Sequence, residues 1–178
     1  MKLIILLILI CFLLFFYRYP NVKKIKSFDK VMSPAYGRVM KIIENKRNIY
    51  VAIFLSPFDI HYQFSPISGE IKKITYDNNG KFELAYNFNK SKDNEKFIYE
   101  IENKRGIFKL YQIAGFLVRR ITSFREVNDK VDIGDNIGLI HFGSRVDLII
   151  PIENKDNFVL KIKEGDYLRT TNIIGYYK

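Results

Sequence analysis

Two stretches of the chain, offset by 32 residues, share one pattern. Ser33-Pro34-Ala35-Tyr36-Gly37-Arg38-Val39 and Ser65-Pro66-Ile67-Ser68-Gly69-Glu70-Ile71 both read Ser-Pro-x-x-Gly-x-aliphatic. A second pair, Val131 to Ile137 and Ile162 to Leu168, sets Gly134-Asp135 and Gly165-Asp166 between aliphatic residues. Glycine at matched places suits turns that need positive φ; chance similarity is the alternative for either pair alone. Short β-rich runs surround these units, among them Val39 to Ile43, Ile49 to Phe54 and Phe82 to Tyr86. Asp77-Asn78-Asn79-Gly80, lying between two such runs, has the composition of a hairpin turn. Repeated strand-turn-strand units predict a mainly β fold, in the form of a compact β sandwich. Helix is expected at the amino terminus and in a turn near Lys90 to Glu95.

The amino terminus is of a different kind. Leu3 to Tyr17 reads LIILLILICFLLFFY, without a charge, Gly or Pro. A helix of that length reaches ~22 Å, short of a ~30 Å hydrocarbon core, so it spans only with snorkelling of Lys2 and Arg18 or local bilayer thinning. No small-x-small cleavage site follows it. Residues 1–18 are therefore expected to be a retained membrane helix, with a hydrophobic helix lying in the membrane surface as the alternative. Lys23, Lys24 and Lys26 place the main domain, residues 19–178, on the cytosolic side.

The chain's 178 residues suffice for one domain with a core. Its net charge of +10 is scattered as single residues and short pairs, not as a basic arm. Nucleic acid is thus not expected as a partner, whereas an anionic membrane surface or a merely solvated lysine-rich face both fit. Cys11 is the single cysteine, which excludes an internal disulfide framework and a cysteine-rich zinc site.

Several segments, taken in order, resemble the short phosphatidylserine and archaetidylserine decarboxylases. They are Phe15-Phe16-Tyr17-Arg18-Tyr19-Pro20; Met32-Ser33-Pro34-Ala35-Tyr36-Gly37; Leu55-Ser56-Pro57-Phe58-Asp59-Ile60-His61 with Ser65-Pro66-Ile67-Ser68-Gly69; Asn94-Glu95; Gln112-Ile113-Ala114-Gly115 with Arg119-Arg120-Ile121; and Gly138-Leu139-Ile140-His141-Phe142-Gly143-Ser144-Arg145-Val146-Asp147. The resemblance runs through nearly the whole chain from Phe15, and the last element is very specific. The Gly-Asp units also resemble those of lipoyl and biotinyl carrier domains, whose sandwich the decarboxylase family elaborates. No Met-Lys-Met-like attachment tripeptide is present, which disfavours a carrier role.

The resemblance implies a pyruvoyl-dependent decarboxylase made from a proenzyme. Removing CO₂ from an amino acid requires an electron sink, and no ordinary side chain supplies one. In this family the sink is a pyruvoyl group built from the chain's own serine, here Ser144. Its hydroxyl attacks the Gly143 carbonyl, and elimination from the resulting ester cuts the chain. The products are a β chain of residues 1–143 and an α chain of residues 144–178, which stay folded together. The implied substrate is phosphatidylserine, the product phosphatidylethanolamine. His61 is the candidate acid or base; a hydrogen-bonded histidine after a turn is the alternative. Arg119, Arg120 and Arg145 are candidates to hold the lipid phosphate or carboxylate through fork-shaped hydrogen bonds, and each reads equally as a solvated strand residue.

One position departs from the family pattern. Tyr36 stands where the family has an aspartate, and a phenol with pKa about 10 is a poor base at neutral pH. His141, just before the cleavage motif, is the candidate to compensate. The competing reading is an uncut, inactive member that binds anionic phospholipid at a membrane.

Overall fold

The computed structural model describes residues 1–78, 80–81, 83–116, 120–141, 144–154 and 156–178. The chain begins with helix α1 (Lys2–Phe16). Strands β1 (Lys30–Met32), β2 (Gly37–Glu44), β3 (Asn48–Leu55), β4 (Tyr62–Phe64) and β5 (Gly69–Asp77) lead to a one-turn helix, α2 (Phe88–Ser91). After it come β6 (Lys96–Asn103), β7 (Gly106–Ala114), β8 (Ile121–Ser123), β9 (Lys130–Val131) and β10 (Asn136–Ile140). The last strands are β11 (Ser144–Pro151), β12 (Phe158–Leu160), β13 (Tyr167–Leu168) and β14 (Ile173–Tyr177).

The mainly β expectation holds, but the arrangement differs from a sandwich of two facing sheets. Eight strands form one sheet, ordered β13-β2-β3-β11-β7-β6-β5-β9, which curls into a half barrel. Two three-stranded sheets, β1-β14-β12 and β4-β10-β8, accompany it. Val51, Ile53, Leu55, Ile71, Ile101, Phe108, Leu110, Val146, Leu148 and Ile174 belong to one buried cluster. Each such side chain contributes roughly 1.5–3 kcal/mol by leaving water. Because sheet and small sheets share that cluster, curvature does what a second full sheet would do in a sandwich.

The repeats are visible in three dimensions. Ser33 Oγ donates to Ala35 O at 2.7 Å and Ser65 Oγ to Ile67 O at 2.7 Å, so both Ser-Pro turns close in the same way. The two turns also clasp each other: Met32 N donates to Pro66 O and Phe64 N to Pro34 O. Gly134 and Gly165 have φ of +87° and +91°, which explains glycine at both places. In each following turn the aspartate accepts from the backbone three residues earlier, Asp135 from Asp132 N and Asp166 from Lys163 N. The strand before the first Gly-Asp turn and the strand after the second form the two edges of the sheet, with Val131 opposite Gly69 and Leu168 opposite Gly37.

Two local expectations are corrected. Strand β5 pairs with β6, and Glu83 to Tyr86 form no strand. Lys81 bridges Asn94 instead, and the Asn94 side chain accepts from Glu83 N and donates to Glu83 O, holding this segment as a loop. The expected membrane-spanning helix is the second correction. Helix α1 forms where the apolar run predicts, but its 15 residues are too few, and among the described residues no helix is long and apolar enough to cross a membrane.

Candidate active site

Three strand ends meet at one end of the sheet. Ser144, the first residue of β11, stands between Leu55, the last residue of β3, and Ala114, the last of β7. Side chains alternate along a strand, so Ser144 and Arg145 face opposite sides. The Ser144 hydroxyl is fully buried and has no hydrogen-bond partner among the described residues. A buried hydroxyl left unpaired costs free energy, as also holds for Asn136 Oδ1, Asn157 Oδ1 and Thr170 Oγ1.

The loop leaving β3 returns to the same place as His61. Its shape comes from Asp59, whose carboxylate accepts from Ser56 N at 2.8 Å and from the Tyr167 hydroxyl at 2.5 Å. The His61 carbonyl accepts from Ile140 N at 3.1 Å, on the strand that runs toward Ser144. That carbonyl also accepts from Gln63 Nε2 at 2.6 Å. Gln63 in turn accepts from Gln112 Nε2 at 2.5 Å, and Gln112 from the Tyr99 hydroxyl at 2.8 Å. This buried chain anchors the His61 backbone to β6 and β7.

The His61 ring is fully buried, and burial pushes its pKa down to about 4, against the raising influence of the Asp59 backbone and carboxylate. It is therefore neutral at pH 7. Its Nδ1 lies 2.9 Å from the Asp59 carbonyl. A carbonyl only accepts, so Nδ1 carries the proton and Nε2 is left with a lone pair. Nε2 is itself buried and unpartnered among the described residues. The site thus holds a buried acceptor on His61 and a buried donor on Ser144, each lacking what the other offers.

The end of α1 closes this region. Phe16 is fully buried, and its ring lies 4.3 Å from the His61 ring, centroid to centroid. The Tyr17 hydroxyl is 3.0 Å from His141 Nδ1, and Thr122 Oγ1 is 3.2 Å from His141 Nε2. Arg18 donates to Phe15 O at 2.6 Å and to Phe58 O, in the His61 loop, at 2.7 Å. Both nitrogens of His141 are engaged, whereas His61 keeps one free. Burial, followed by the nearby Arg120 charge, lowers the His141 pKa as well.

The arginines separate. Arg145 is buried on the face opposite Ser144, where its Nε and Nη2 donate to the two oxygens of Asp147 at 2.9 and 2.8 Å. Its Nη1 donates to Phe88 O at 2.8 Å and Ser91 Oγ at 2.5 Å, tying α2 to β11. With those donors occupied, Arg145 serves the scaffold in this arrangement and is not aimed at a headgroup beside Ser144. Arg120 is exposed, and its carbonyl accepts from His141 N at 2.9 Å. Arg119 and Gly143 lie outside the described residues. Tyr36 is half-buried beside Gly37, at the start of β2 and the same end of the sheet. No group of His, Cys, Asp and Glu that could hold a metal ion occurs among the described residues.

Sequence reasoning passed over Gln63, Tyr99 and Tyr167, and took Gln112, Phe16 and Tyr17 only as parts of segments that carry the family resemblance. Gln63 carries a weak signal, an amide two residues from the candidate histidine in an otherwise apolar strand. Phe16 carries only its place in the Phe15 to Pro20 segment, with nothing that marks it as turned inward.

The model of the family described as phosphatidylserine decarboxylase matches residues 9–176. A phosphatidylserine decarboxylase proenzyme of Prosthecochloris aestuarii is 34% identical over 169 residues, covering 92% of this chain and 76% of the relative. One from Chlorobium phaeobacteroides is 33% identical over 174 residues, covering 94% and 79%. A putative archaetidylserine decarboxylase proenzyme of Methanosarcina acetivorans is 40% identical over 141 residues, covering 79% and 64%.

Proposed function

Since the chain belongs to the phosphatidylserine decarboxylase family, we propose that it is a proenzyme that cuts itself between Gly143 and Ser144 and then decarboxylates phosphatidylserine to phosphatidylethanolamine. The observation that carries this reading is the complementary pair of buried, unpartnered atoms, Ser144 Oγ and His61 Nε2. A serine that only packed would be expected to donate to a carbonyl, as Ser33 and Ser65 do.

In the processing step His61 Nε2 takes the Ser144 proton as the oxygen attacks the Gly143 carbonyl carbon. The Asp59 carbonyl keeps the imidazole in the tautomer this requires and faces the positive charge that then develops on the ring. That carbonyl dipole is what supports the base where Tyr36 replaces the family's carboxylate. His141, with both nitrogens engaged, orients the segment before the cut instead of accepting the Ser144 proton.

The pyruvoyl group formed from Ser144 supplies the electron sink that decarboxylation needs. The residues present fit its formation: a serine at a strand start and an unpartnered base, both fully buried. For turnover, His61 is the candidate to return a proton to the substrate carbon. Arg120, exposed and bound through its carbonyl to His141 N, is the candidate to hold a phosphate or carboxylate; Arg119 is its neighbour in sequence. Membrane attachment fits the exposed apolar face of α1 and the tips Phe58, 68% exposed, and Phe116, 54% exposed, at the same end as Ser144.

The test is intact-mass analysis of the purified full chain, followed by assay for phosphatidylethanolamine in mixed micelles. Two fragments, residues 1–143 and a blocked 144–178, together with product from phosphatidylserine, are expected. A persistently uncut chain that binds anionic vesicles would support the inactive, lipid-binding alternative.

A further inference from the structure

Helix α1 ends in a way that an anchor alone does not require. Its other residues are exposed or half-exposed, yet Phe16 is fully buried against the face of His61. The next two residues fasten that placement, Tyr17 on His141 and Arg18 on Phe58 O of the His61 loop. One helical turn therefore touches both candidate histidines and the loop between β3 and β4.

We propose that Phe16 is a positioning residue for self-processing: its ring covers buried His61 and keeps water from it and from buried Ser144, so that the ester formed at Ser144 is resolved by elimination and not by hydrolysis. This rests on the processing reaction proposed above. Attack of Ser144 Oγ on Gly143 breaks the Gly143–Ser144 amide and leaves Gly143 esterified to the Ser144 oxygen, with a free amine on Ser144. Two fates then compete. In elimination a base takes the Ser144 Cα proton, the Cβ–O bond breaks, and Gly143 departs as a carboxylate. The dehydroalanine left behind takes up water and loses ammonia to give the pyruvoyl group. In hydrolysis water attacks the ester carbonyl, the acyl–oxygen bond breaks, and Ser144 is returned as an ordinary amino-terminal serine. The second route ends the enzyme's life before it begins. Excluding water is the physical means of suppressing it.

Two further observations bear on the exclusion of water. Ser144 Oγ and His61 Nε2 are both buried without partners, and burial is the largest influence on His61, outweighing Asp59. The charged or titratable groups around the ring are Asp59 on its own loop, Arg18 at the end of α1 and His141 before the cleavage site. Arg18 and His141 act in the same direction as burial, and Asp59 opposes it.

The experiment follows the full chain in detergent, where membrane binding plays no part, and weighs the products. The pyruvoyl-started and serine-started fragments of residues 144–178 differ by one ammonia. The unaltered chain should give the blocked fragment in large excess. Phe16→Ala should raise the serine-started share about tenfold or more, and Phe16→Leu, which refills the space, should restore the original ratio. An unchanged product ratio in Phe16→Ala would overturn the proposal, as would a Phe16→Leu ratio as poor as that of alanine. A second measurement needs no change at Phe16. In the uncut Ser144→Ala chain, His61 followed by NMR should titrate near 4. A midpoint near the ordinary value of about 6.5 would mean that water reaches His61 and overturn the proposal on its own. Failure of the unaltered chain to cleave would instead overturn the processing reaction, a separate outcome.

Discussion

His61 and Ser144 are both fully buried, the first with an unprotonated Nε2, the second with an undonated hydroxyl, and the Ile140 N–H that binds the His61 carbonyl lies four residues before Ser144. Neither finds a partner elsewhere among the described residues. Replacing one should therefore remove processing while leaving the fold standing. Ser144→Ala deletes the nucleophile and should give only the uncut chain. His61→Gln keeps an amide able to bond the Asp59 carbonyl but cannot take a proton, and should slow cleavage by roughly 10²–10⁴-fold. His141→Ala should slow it far less. Time courses of the mass of the intact chain separate the three, and rapid cleavage in His61→Gln would remove His61 from the role of base.

The same histidine makes stability depend on acid. Its pKa is about 4 in the folded chain and about 6.5 when unfolded. The unfolded state therefore binds the proton more readily, and stability falls as pH drops from about 6.5 toward 4. The full effect is on the order of 3 kcal/mol once pH is below both values. Urea unfolding of the Ser144→Ala chain at pH 7, 5.5 and 4.5 should show the decline. In Ser144→Ala/His61→Gln the curve should be flatter across that window, since the group that takes up the proton is gone.

Which parts of this were legible in the sequence follows the range of the interactions involved. The Ser-Pro-x-x-Gly and Gly-Asp units could be read because each is a local turn with its own chemistry, and both pairs recur in the structure with matching bonds. The family could be read because the segments around His61 and Ser144 resemble it and the family model matches residues 9–176; the roles of those two residues belong to the proposal. The curl of the sheet could not, because it depends on which distant strands become neighbours: β11 sits between β3 and β7 on account of packing across the chain. The false strand at Glu83 to Tyr86 has the same origin, since Asn94 captures that backbone from outside the segment. The inward turn of Phe16 could not be read even though its segment carried the resemblance, as nothing in an apolar run marks which residue is buried.

Gly138 shows how closely the support of His61 is packed. A Cβ built there would lie 2.4 Å from Thr122 O and 2.8 Å from Gln112 Nε2. Neither can yield freely, because the first is backbone and the second is bonded to Gln63. Gly138→Ala should destabilise the chain by about 1–3 kcal/mol and displace the Gln112–Gln63 link that holds the His61 carbonyl. Processing should slow together with the loss of stability. A chain of unchanged stability that cleaves at the original rate would show that this network does not position His61.

Arg145 and Asp147 follow Ser144 by one and three residues, which invites a catalytic reading, but their geometry argues for a structural one. The pair is bidentate and buried, and the Tyr50 hydroxyl also donates to Asp147. Burial raises the Asp147 pKa while the Arg145 charge lowers it, so the carboxylate depends on its partner to stay ionised at low cost. Removing one member leaves the other charge buried and alone. Arg145→Ala or Asp147→Ala should therefore each destabilise by about 3–5 kcal/mol, whereas the double replacement Arg145→Met/Asp147→Leu should recover much of that loss. The pair also joins the two sides of the proposed cut, since Arg145 belongs to the segment after Ser144 and bonds Phe88 O and Ser91 before it. In processed protein, Arg145→Ala should release the 144–178 fragment at lower denaturant than the unaltered chain. Size-exclusion chromatography across a urea series reads that release directly. If instead Arg145→Ala kept its stability and fragment retention but lost affinity for phosphatidylserine, Arg145 would belong to the substrate site after all.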